Sequence, residues 1–290
     1  MKFRRTLAIP VLVATAALTL TACGSDDAES GTVVRIGTTD YDRAFEVFEQ
    51  KAKENGITLE VTNFSDYKQP NAALAQKQID LNLFQHLQFL GQYNVASSDT
   101  LTPIGSTYIV PLGLYSKKHK TLADIPAGGE IAIPNDPTNQ ARALNVLAAA
   151  GLVKLSGTPA QPSTADIDRG ASKVTVTTVD AAQTALSLAS VDGAIINNTF
   201  LERSGVDPKS ALFKDDPKDP GAEPYINVIV SRAEDKDNAT YRKLTEIWKD
   251  PAVAAAHAET TKGTAVAVDR PAAELEQILD RVQQGIRSAK

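Results

Sequence analysis

From residue 32 onward, apolar and polar residues alternate in patterns that predict strands and helices in succession. Residues 33–36 and 57–61 have the two-residue period of strands, and an amphipathic helix is predicted between them. The apolar residues of this helix recur at helical spacing: Tyr41, Phe45, Phe48 and Ala52. Thr39 or Asp40 is expected to cap its first turn, and Gly56 fits the left-handed position after its end. A strand, a helix and a second strand in this order predict a parallel sheet.

The same alternation continues to the end of the chain. Further strands are predicted at residues 79–83, 130–133, 174–179, 194–196 and 225–230. Further helices are predicted at residues 66–76, from about 140 to 150, at 181–190 and from 271 onward. The last of these is expected to have Asp269 as its cap. Residues 108–115 are extended, but Pro111 and Gly113 would disturb a central strand, so this stretch is predicted to cross between two lobes.

A length of 290 residues indicates two lobes or one large α/β unit. In open α/β sheets, ligands bind where loops and helix N-termini gather at the ends of strands. We therefore expect an α/β fold with two lobes and a ligand cleft between them. Lobe 1 is predicted to contain residues 33–112 and 226–290, and lobe 2 residues 113–225.

The first 22 residues have the features of an export signal. Basic residues precede an apolar run from Leu7 to Leu20, which is shorter than the roughly 20 residues that span a bilayer. The run ends in Leu-Thr-Ala-Cys, which resembles the bacterial lipobox and implies cleavage before Cys23 and lipid on its thiol. An ordinary signal peptide with an incidental cysteine is the alternative. Residues 23–32 are small, polar and acidic, as expected of a flexible tether.

Charge and composition exclude several classes of protein. The net charge is −5, and removal of the signal peptide would leave −8. Without a basic run, nucleic-acid binding is not expected. A single cysteine and three dispersed histidines argue against a disulfide, a metal site or a metal cofactor. Common hydrolase and phosphate-binding motifs are absent from the sequence, so catalysis is not expected. The acidic pair Asp215 and Asp216 is expected to be solvated.

Three positions carry candidate binding chemistry, each with a plainer alternative. Arg142 lies about one turn into a predicted helix, where its guanidinium can form a bidentate hydrogen bond with a carboxylate. Alternatively, it is a surface arginine that pairs with another residue of the same helix. Phe84 and His86 point to one side of a predicted strand end, but His86 is equally compatible with a core or surface position. Asn197 and Asn198 follow a buried strand, where amides hold a ligand or satisfy a turn.

Four stretches, together with the lipobox, resemble the NlpA/MetQ-type lipoproteins, which are methionine-binding components of ABC importers. The stretches are FSDY with QPN at 64–71, LFQH at 83–86, AIPNDPTN with Arg142 at 132–142, and AIINN at 194–198. The resemblance runs from about residue 33 to about residue 263. It implies a type II periplasmic-binding-protein-like fold, in which two lobes close on a ligand without catalysis.

The resemblance also implies roles for individual residues. Arg142 would bind the α-carboxylate of an amino acid, and Asn197 and Asn227 would hydrogen-bond its backbone groups. The side-chain pocket would be lined by Tyr67, Phe84, His86 and Phe89. Two features depart from the family pattern. Residues 37–42 replace a Gly-Pro-His-type turn that faces the cleft, and the last helix extends beyond the usual end, where we expect it to pack on a lobe.

The function that follows is a lipid-anchored, monomeric solute receptor on the outer face of the cytoplasmic membrane. It would deliver L- or D-methionine, or a close derivative, to an ABC permease and its ATPase. An anchored enzyme is a second hypothesis, which requires a nucleophile or a metal. A third is a surface adhesion protein with the same fold and a different ligand or none.

Overall fold

The computed structural model describes residues 31–288, in which strands and helices alternate along the chain. The predicted signal peptide and the predicted lipidation site Cys23 lie outside the described residues, as does nearly all of the predicted tether. None of the helices within residues 31–288 has the length and apolar character needed to span a membrane.

The secondary structure elements are as follows. The strands are β1 (Thr32–Thr38), β2 (Ile57–Asn63), β3 (Leu81–His86), β4 (Thr102–Ser106), β5 (Tyr108–Ile109), β6 (Gly113–Tyr115), β7 (Glu130–Pro134), β8 (Thr175–Val179), β9 (Gly193–Ile196), β10 (Phe213–Lys214), β11 (Asn227–Ser231) and β12 (Val266–Ala267). The α-helices are α1 (Arg43–Glu54), α2 (Gln69–Ala75), α3 (Leu87–Ser97), α4 (Pro137–Ala149), α5 (Thr184–Ser187), α6 (Thr199–Arg203), α7 (Ala239–Trp248), α8 (Pro251–Thr260) and α9 (Ala272–Ser288).

The strands form two five-stranded sheets and a short two-stranded one. The first sheet has the order β2-β1-β3-β11-β4, in which β1 is parallel to β2 and β3, as predicted. β11 is antiparallel to both of its neighbours in this sheet. The second sheet has the order β10-β6-β9-β7-β8. The chain therefore leaves the first sheet after β4 and returns to it at β11.

This double crossing supports the proposed division into lobe 1 (residues 33–112 and 226–290) and lobe 2 (residues 113–225). The first sheet draws its strands from the former ranges, and the second sheet from the latter. The predicted crossover lies between them. There β5 pairs with β12, whereas β6 joins the second sheet, and Pro111 stands in the gap between the two short strands.

Helices cover both faces of the first sheet. Ile229 of β11 belongs to the core cluster that contains Phe48 of α1 and Trp248 of α7. Its neighbours Val228 and Val230 belong to the cluster to which α3 and α9 contribute. Because successive side chains of a strand point to opposite faces, β11 is buried from both sides. Packing on both faces of the sheet therefore holds in place the strand ends that reach the cleft.

The second sheet is covered in the same way. Ile131 and Ile133 of β7 pack in the core cluster with Leu144 of α4. Ala132, which lies between them, packs in the cluster that contains Phe200 of α6. Burial on both faces explains why β7 and β9 are almost wholly apolar.

The ends of α1 correct one sequence prediction and agree with another. Asp42, rather than Thr39 or Asp40, caps this helix, because its Oδ1 accepts a hydrogen bond of 3.0 Å from the backbone N–H of Phe45. Gly56 has a φ of 77°, the left-handed conformation expected after the helix end. The capping prediction was wrong because three acceptor side chains stand within four residues, and the sequence does not rank them.

The carboxy-terminal helix α9 packs on α3, as expected of a helix that covers a lobe. Its buried residues are Leu275, Ile278, Leu279, Val282 and Ile286. Gly91 of α3 makes this approach possible, since a Cβ atom there would lie 2.6 Å from Cγ1 of Val282. Asp269 does not cap the helix, which begins at Ala272. The Asp269 carboxylate instead lies 2.9 Å from the Lys249 ammonium.

Candidate functional site

One cavity is lined by side chains from both sheets and the loops that join them. The space between its walls measures about 490 Å³, a figure that includes open solvent at its mouth. The seven predicted binding residues all line it: Tyr67, Phe84, His86, Phe89, Arg142, Asn197 and Asn227. Seven further residues line the cavity, for which the predicted role was open or absent: Asp40, Gln85, Tyr108, Val110, Asn139, Asn198 and Thr199.

Three aromatic rings form one wall of the cavity. The ring centroids of Tyr67, Phe84 and Phe89 lie 5.8–6.1 Å from one another. Phe200 of α6 extends this wall, with its ring centroid 5.2 Å from that of Tyr67. The rings meet at tilted or edge-on angles, which are the favourable arrangements for aromatic pairs. They present an apolar and polarizable surface to the cavity.

A buried network of amides supports this wall from behind β3. The Asn71 and Gln85 side chains exchange hydrogen bonds of 2.8 and 2.6 Å. Asn82 donates to Asn71 and accepts from Gln85, at 2.9 and 3.0 Å. All three residues are nearly inaccessible to solvent. Because each amide satisfies another in a low-dielectric interior, the network fixes the strand that carries Phe84 and His86.

His86 ends β3 and caps α3, which determines its protonation. Its Nδ1 accepts a hydrogen bond of 3.1 Å from the backbone N–H of Phe89. The proton of the neutral ring is therefore on Nε2, 3.4 Å from Oδ1 of Asn139. Burial, aided by the positive charge of Arg142, lowers the pKa of His86 to about 3. The imidazole is thus neutral at physiological pH and contributes an N–H donor to the cavity.

A chain of polar side chains connects the start of α4 to the end of β9. The carboxylate of Asp136, which caps α4, accepts two hydrogen bonds of 3.1 Å from Nδ2 of Asn139. Oδ1 of Asn139 in turn accepts a hydrogen bond of 2.9 Å from Nδ2 of Asn197. This arrangement leaves Oδ1 of Asn197 buried and without a partner among the described residues. A buried acceptor of this kind is costly unless a ligand supplies a donor.

Arg142 is buried on α4, so the alternative of an exposed arginine is wrong. Its Nε donates to Asp215 Oδ2 over 2.6 Å, and its Nη2 donates to the carbonyl of Val110 over 2.9 Å. The Tyr225 ring lies 4.1 Å from Cζ and stacks on the guanidinium. Within residues 31–288, Nη1 makes no hydrogen bond, so this edge of the guanidinium can receive a carboxylate.

Asp215 corrects the expectation that both acids of its pair are solvated. One carboxylate oxygen accepts from Arg142, and the other accepts a hydrogen bond of 2.8 Å from the backbone N–H of Leu112. Asp216, by contrast, is exposed. The segment around Asp215 is rich in Lys, Asp and Pro, a composition that indicates an exposed loop. Its partner Arg142 is distant in sequence, so the ion pair between Asp215 and Arg142 could not be predicted from this segment.

Asn227 begins β11, directly opposite His86 in the antiparallel pairing with β3. Its Nδ2 donates a hydrogen bond of 3.2 Å to the carbonyl of Tyr108. The side chain is thereby held at the point where the chain crosses between the sheets. Asn227 also lines the cavity.

Asp40 is the site residue for which the sequence predicted no binding role, although its loop was expected to face the cleft. It lies between β1 and α1 and lines the cavity beside Tyr67, Tyr108 and Thr199. Burial, with a smaller contribution from the carboxylate of Asp42, raises the pKa of Asp40 to about 7. Asp40 is partly buried.

We expect Asp40→Asn to stabilise the protein at pH 8 and to leave its stability nearly unchanged at pH 4. Between pH 4 and 7 the folded protein holds a proton that the unfolded chain has released, so the free energy of unfolding falls as pH rises. At about 1.4 kcal/mol per pKa unit, the gain at pH 8 is at most about 4 kcal/mol. Urea denaturation at the two pH values measures it. The exposed Asp280→Asn is the control, and an equal effect of Asp40→Asn at both pH values would contradict the expectation.

A metal-dependent site is not supported within residues 31–288. Among these residues, no group of three or more His, Cys, Asp or Glu side chains lies close enough together to hold a metal ion. The chemistry of the cavity is instead that of a receptor for a small zwitterion. It has a guanidinium edge, an unpaired amide oxygen, a neutral imidazole and an aromatic wall.

Comparisons with known proteins agree with this geometry. The sequence model described as NlpA lipoprotein matches residues 33–268. A protein named D-methionine-binding lipoprotein MetQ, from Yersinia pestis, is 34% identical over 272 residues, covering 92% of this chain and 98% of its own.

Solved structures support the same family assignment. Protein PG110 from Staphylococcus aureus has a TM-score of 0.80 and 37% identity, covering 86% of this chain and 99% of its own. A nutrient binding protein from Burkholderia cenocepacia bound to methionine has a TM-score of 0.75 and 34% identity, covering 81% and 99%. These structures confirm the predicted two-lobe α/β fold. The chain belongs to the NlpA lipoprotein family.

Proposed function

We propose that this protein is a solute-binding protein that captures methionine and delivers it to an ABC permease. The observation that carries the proposal is the convergence of seven residues, predicted from separate motifs, on one cavity. That cavity combines a group for a carboxylate, an acceptor for an ammonium group and an apolar wall. The relatives named as a D-methionine-binding lipoprotein and as a nutrient binding protein bound to methionine support the same ligand class.

We assign the polar end of the ligand to Arg142, Asn197 and Asn227. The Nη1 edge of Arg142 would donate to the α-carboxylate, in a charged hydrogen bond worth roughly 1.5–3 kcal/mol. The buried Oδ1 of Asn197 would accept from the α-ammonium group and so lose its desolvation penalty. Asn227, which lies where the chain crosses between the two sheets, would make a further hydrogen bond to the backbone groups of the ligand.

The side chain of the ligand would lie against Tyr67, Phe84 and Phe89. A thioether is soft and polarizable, and a sulfur–aromatic contact contributes roughly 0.3–1.5 kcal/mol. Neutral His86 can border this region without placing a charge beside the sulfur. Since a methylene is worth only about 1–3 kcal/mol in such pockets, close analogues of methionine should also bind.

Contacts across the cleft support a clamp that closes on its ligand. With the proposed lobe boundaries, the Nε2 of His86 in lobe 1 lies 3.4 Å from Asn139 of lobe 2. At the edge of the cleft, the ammonium of Lys68 lies 2.9 Å from the carboxylate of Asp180. Closure of this kind excludes water and strengthens the polar contacts inside.

We further propose that lipid on Cys23 holds a monomeric receptor at the outer face of the cytoplasmic membrane. The lipobox-like sequence and the family name support an anchored, extracytoplasmic protein. The permease and its ATPase would be the protein partners. Neither nucleic acid nor a cofactor has a place in this function.

Native mass spectrometry of the protein as purified tests the proposal. We expect a mass increment that is released on denaturation and identified as methionine or a close derivative. A surface adhesion protein that kept the fold without transport would carry no such solute. Reproducible absence of any increment, together with no thermal shift from any amino acid, would overturn the proposed function.

Phe84→Ala is expected to weaken methionine binding about tenfold and to broaden the choice of ligand. The substitution removes one of the three rings and opens the wall that limits side-chain length. Isothermal titration calorimetry with methionine, leucine and phenylalanine measures both effects. An unchanged affinity for methionine would show that the thioether does not lie on this wall.

A further inference from the structure

The loop between β1 and α1 contains two acids with different roles. Asp42 is committed to the helix, because its Oδ1 accepts the backbone N–H of Phe45. Asp40 caps no helix; its carboxyl group lies within hydrogen-bond reach of the Thr199 hydroxyl and lines the cavity. The loop therefore brings a carboxyl group to the site.

The fold holds this loop in one position. The backbone N–H of Asp40 donates a hydrogen bond of 3.0 Å to Oγ1 of Thr38. Arg203 of α6, on the other side of the cleft, donates to the carbonyl of Thr39. Gly37 is tightly enclosed as well, since a Cβ atom there would lie 2.5 Å from Cδ1 of Ile79. The direction of the Asp40 side chain is thus set by the protein.

Among the described residues, no cation forms an ion pair with Asp40. The positive charge of Arg142 is already paired with Asp215 over 2.6 Å. Arg203 attracts the Asp40 carboxylate through space, but its guanidinium donates to the Thr39 carbonyl. The other neighbours of Asp40 in the lining are the aromatic rings of Tyr67 and Tyr108 and the hydroxyl of Thr199.

Asp40 and Arg142 have different surroundings in the cavity. Arg142 is surrounded by Val110, Asp215 and Tyr225. The groups that act on the Asp40 carboxyl are instead Asp42, Arg203, Glu202 and Thr199, and Asp40 in turn acts on Tyr67 of the aromatic wall. A ligand whose carboxylate meets Arg142 therefore extends its side chain towards the aromatic wall and the Asp40 carboxyl group.

We propose that Asp40 is a specificity-determining residue that binds a hydrogen-bond donor at the end of the ligand side chain. The cavity then accepts amino acids whose side chain ends in an N–H group, which an all-apolar pocket would exclude. The inference rests on the proposed function, because it presupposes an amino acid held at Arg142. Its physical basis is that a buried carboxylate needs a donor or a cation to offset its lost hydration.

Lysine and norleucine form a matched pair of probes, because they differ only in the terminal ammonium group. Their affinities and that of methionine are measured by calorimetry at pH 8 with the wild type, Asp40→Asn and Glu202→Gln. Glu202 is an exposed acid close to Asp40 that does not line the cavity, so its variant controls for a general loss of negative charge.

We expect Asp40→Asn to lower the ratio of lysine to norleucine affinity at least tenfold, as loss of a charged hydrogen bond does. Glu202→Gln should leave the ratio unchanged. If wild type binds methionine and Asp40→Asn keeps the wild-type ratio, the inference fails while the proposed function stands. If wild type binds none of the three amino acids, both are overturned.

Discussion

Replacing Arg142 with alanine is expected to weaken methionine binding at least 100-fold. The substitution removes the guanidinium edge that would receive the α-carboxylate, and a carboxylate buried without its partner costs several kcal/mol. Every 1.4 kcal/mol corresponds to a factor of ten in affinity. Isothermal titration calorimetry at neutral pH measures the change directly.

Two further variants separate binding from folding, because alanine also leaves Asp215 without its partner. Arg142→Lys keeps the charge but not the planar fork, so it should remain folded and still bind weakly. Asp215→Asn keeps the guanidinium but loosens it, and we expect an intermediate loss. Thermal melting establishes that each variant is folded. Wild-type affinity in a folded Arg142→Ala protein would show that the carboxylate is bound elsewhere.

Leu275→Ala is expected to destabilise the protein by about 2–5 kcal/mol. Leu275 lies on the buried face of α9, is fully inaccessible to solvent and packs in the core cluster with Leu87 and Leu90 of α3. Truncation of a buried leucine loses transfer free energy and leaves a cavity. The midpoint of urea denaturation, compared with that of the wild type, gives the change in the free energy of unfolding.

Gln284→Ala is the matched control, because this residue lies on the exposed face of the same helix. It should change stability by less than about 0.5 kcal/mol. Methionine affinity should survive Leu275→Ala wherever the variant is folded, since α9 does not line the cavity. If Leu275→Ala were as stable as the wild type, α9 would not belong to the core of its lobe and would instead serve as a separate surface.

The elements with clear periodicity could be predicted because the residues at their start, along their length and at their end all favour the same structure. The helix α4 shows this. Asp136 accepts the N–H of Asn139, Pro137 stands in the first turn, and Gly151 has a φ of 71° just past the end. Cap, first turn and termination all agree, so its position follows from local rules.

Four α-helices within residues 31–288 were not predicted, namely α3, α7, α8 and the short α6, and the first three show why. α3 follows β3 without any intervening loop, because His86 both ends the strand and caps the helix. Without a loop, the sequence contains no signal for the change from strand to helix. α8 is rich in alanine and has no apolar stripe, so the helical period is not visible in it. α7 has the amphipathic pattern and an Asn238 cap, and both were overlooked.

The candidate site was likewise predictable only in part. Residues that belong to recognisable motifs, such as Arg142 and His86, were predicted from sequence. The partner of Arg142 was not, because Asp215 is brought to it only by the folding of lobe 2. Asp40 was not predicted either. Asp40 and Asp42 are alike in sequence, and only the folded loop determines which carboxyl group caps the helix and which lines the cavity.

The most direct test of the proposed function is titration of ligand-free protein with methionine. The purified protein is unfolded to release any bound solute, refolded and titrated with L-methionine and D-methionine by isothermal titration calorimetry. We predict saturable one-to-one binding of at least one stereoisomer, lost in Arg142→Ala. Correctly refolded protein that binds neither stereoisomer would contradict the assignment of this cavity to methionine.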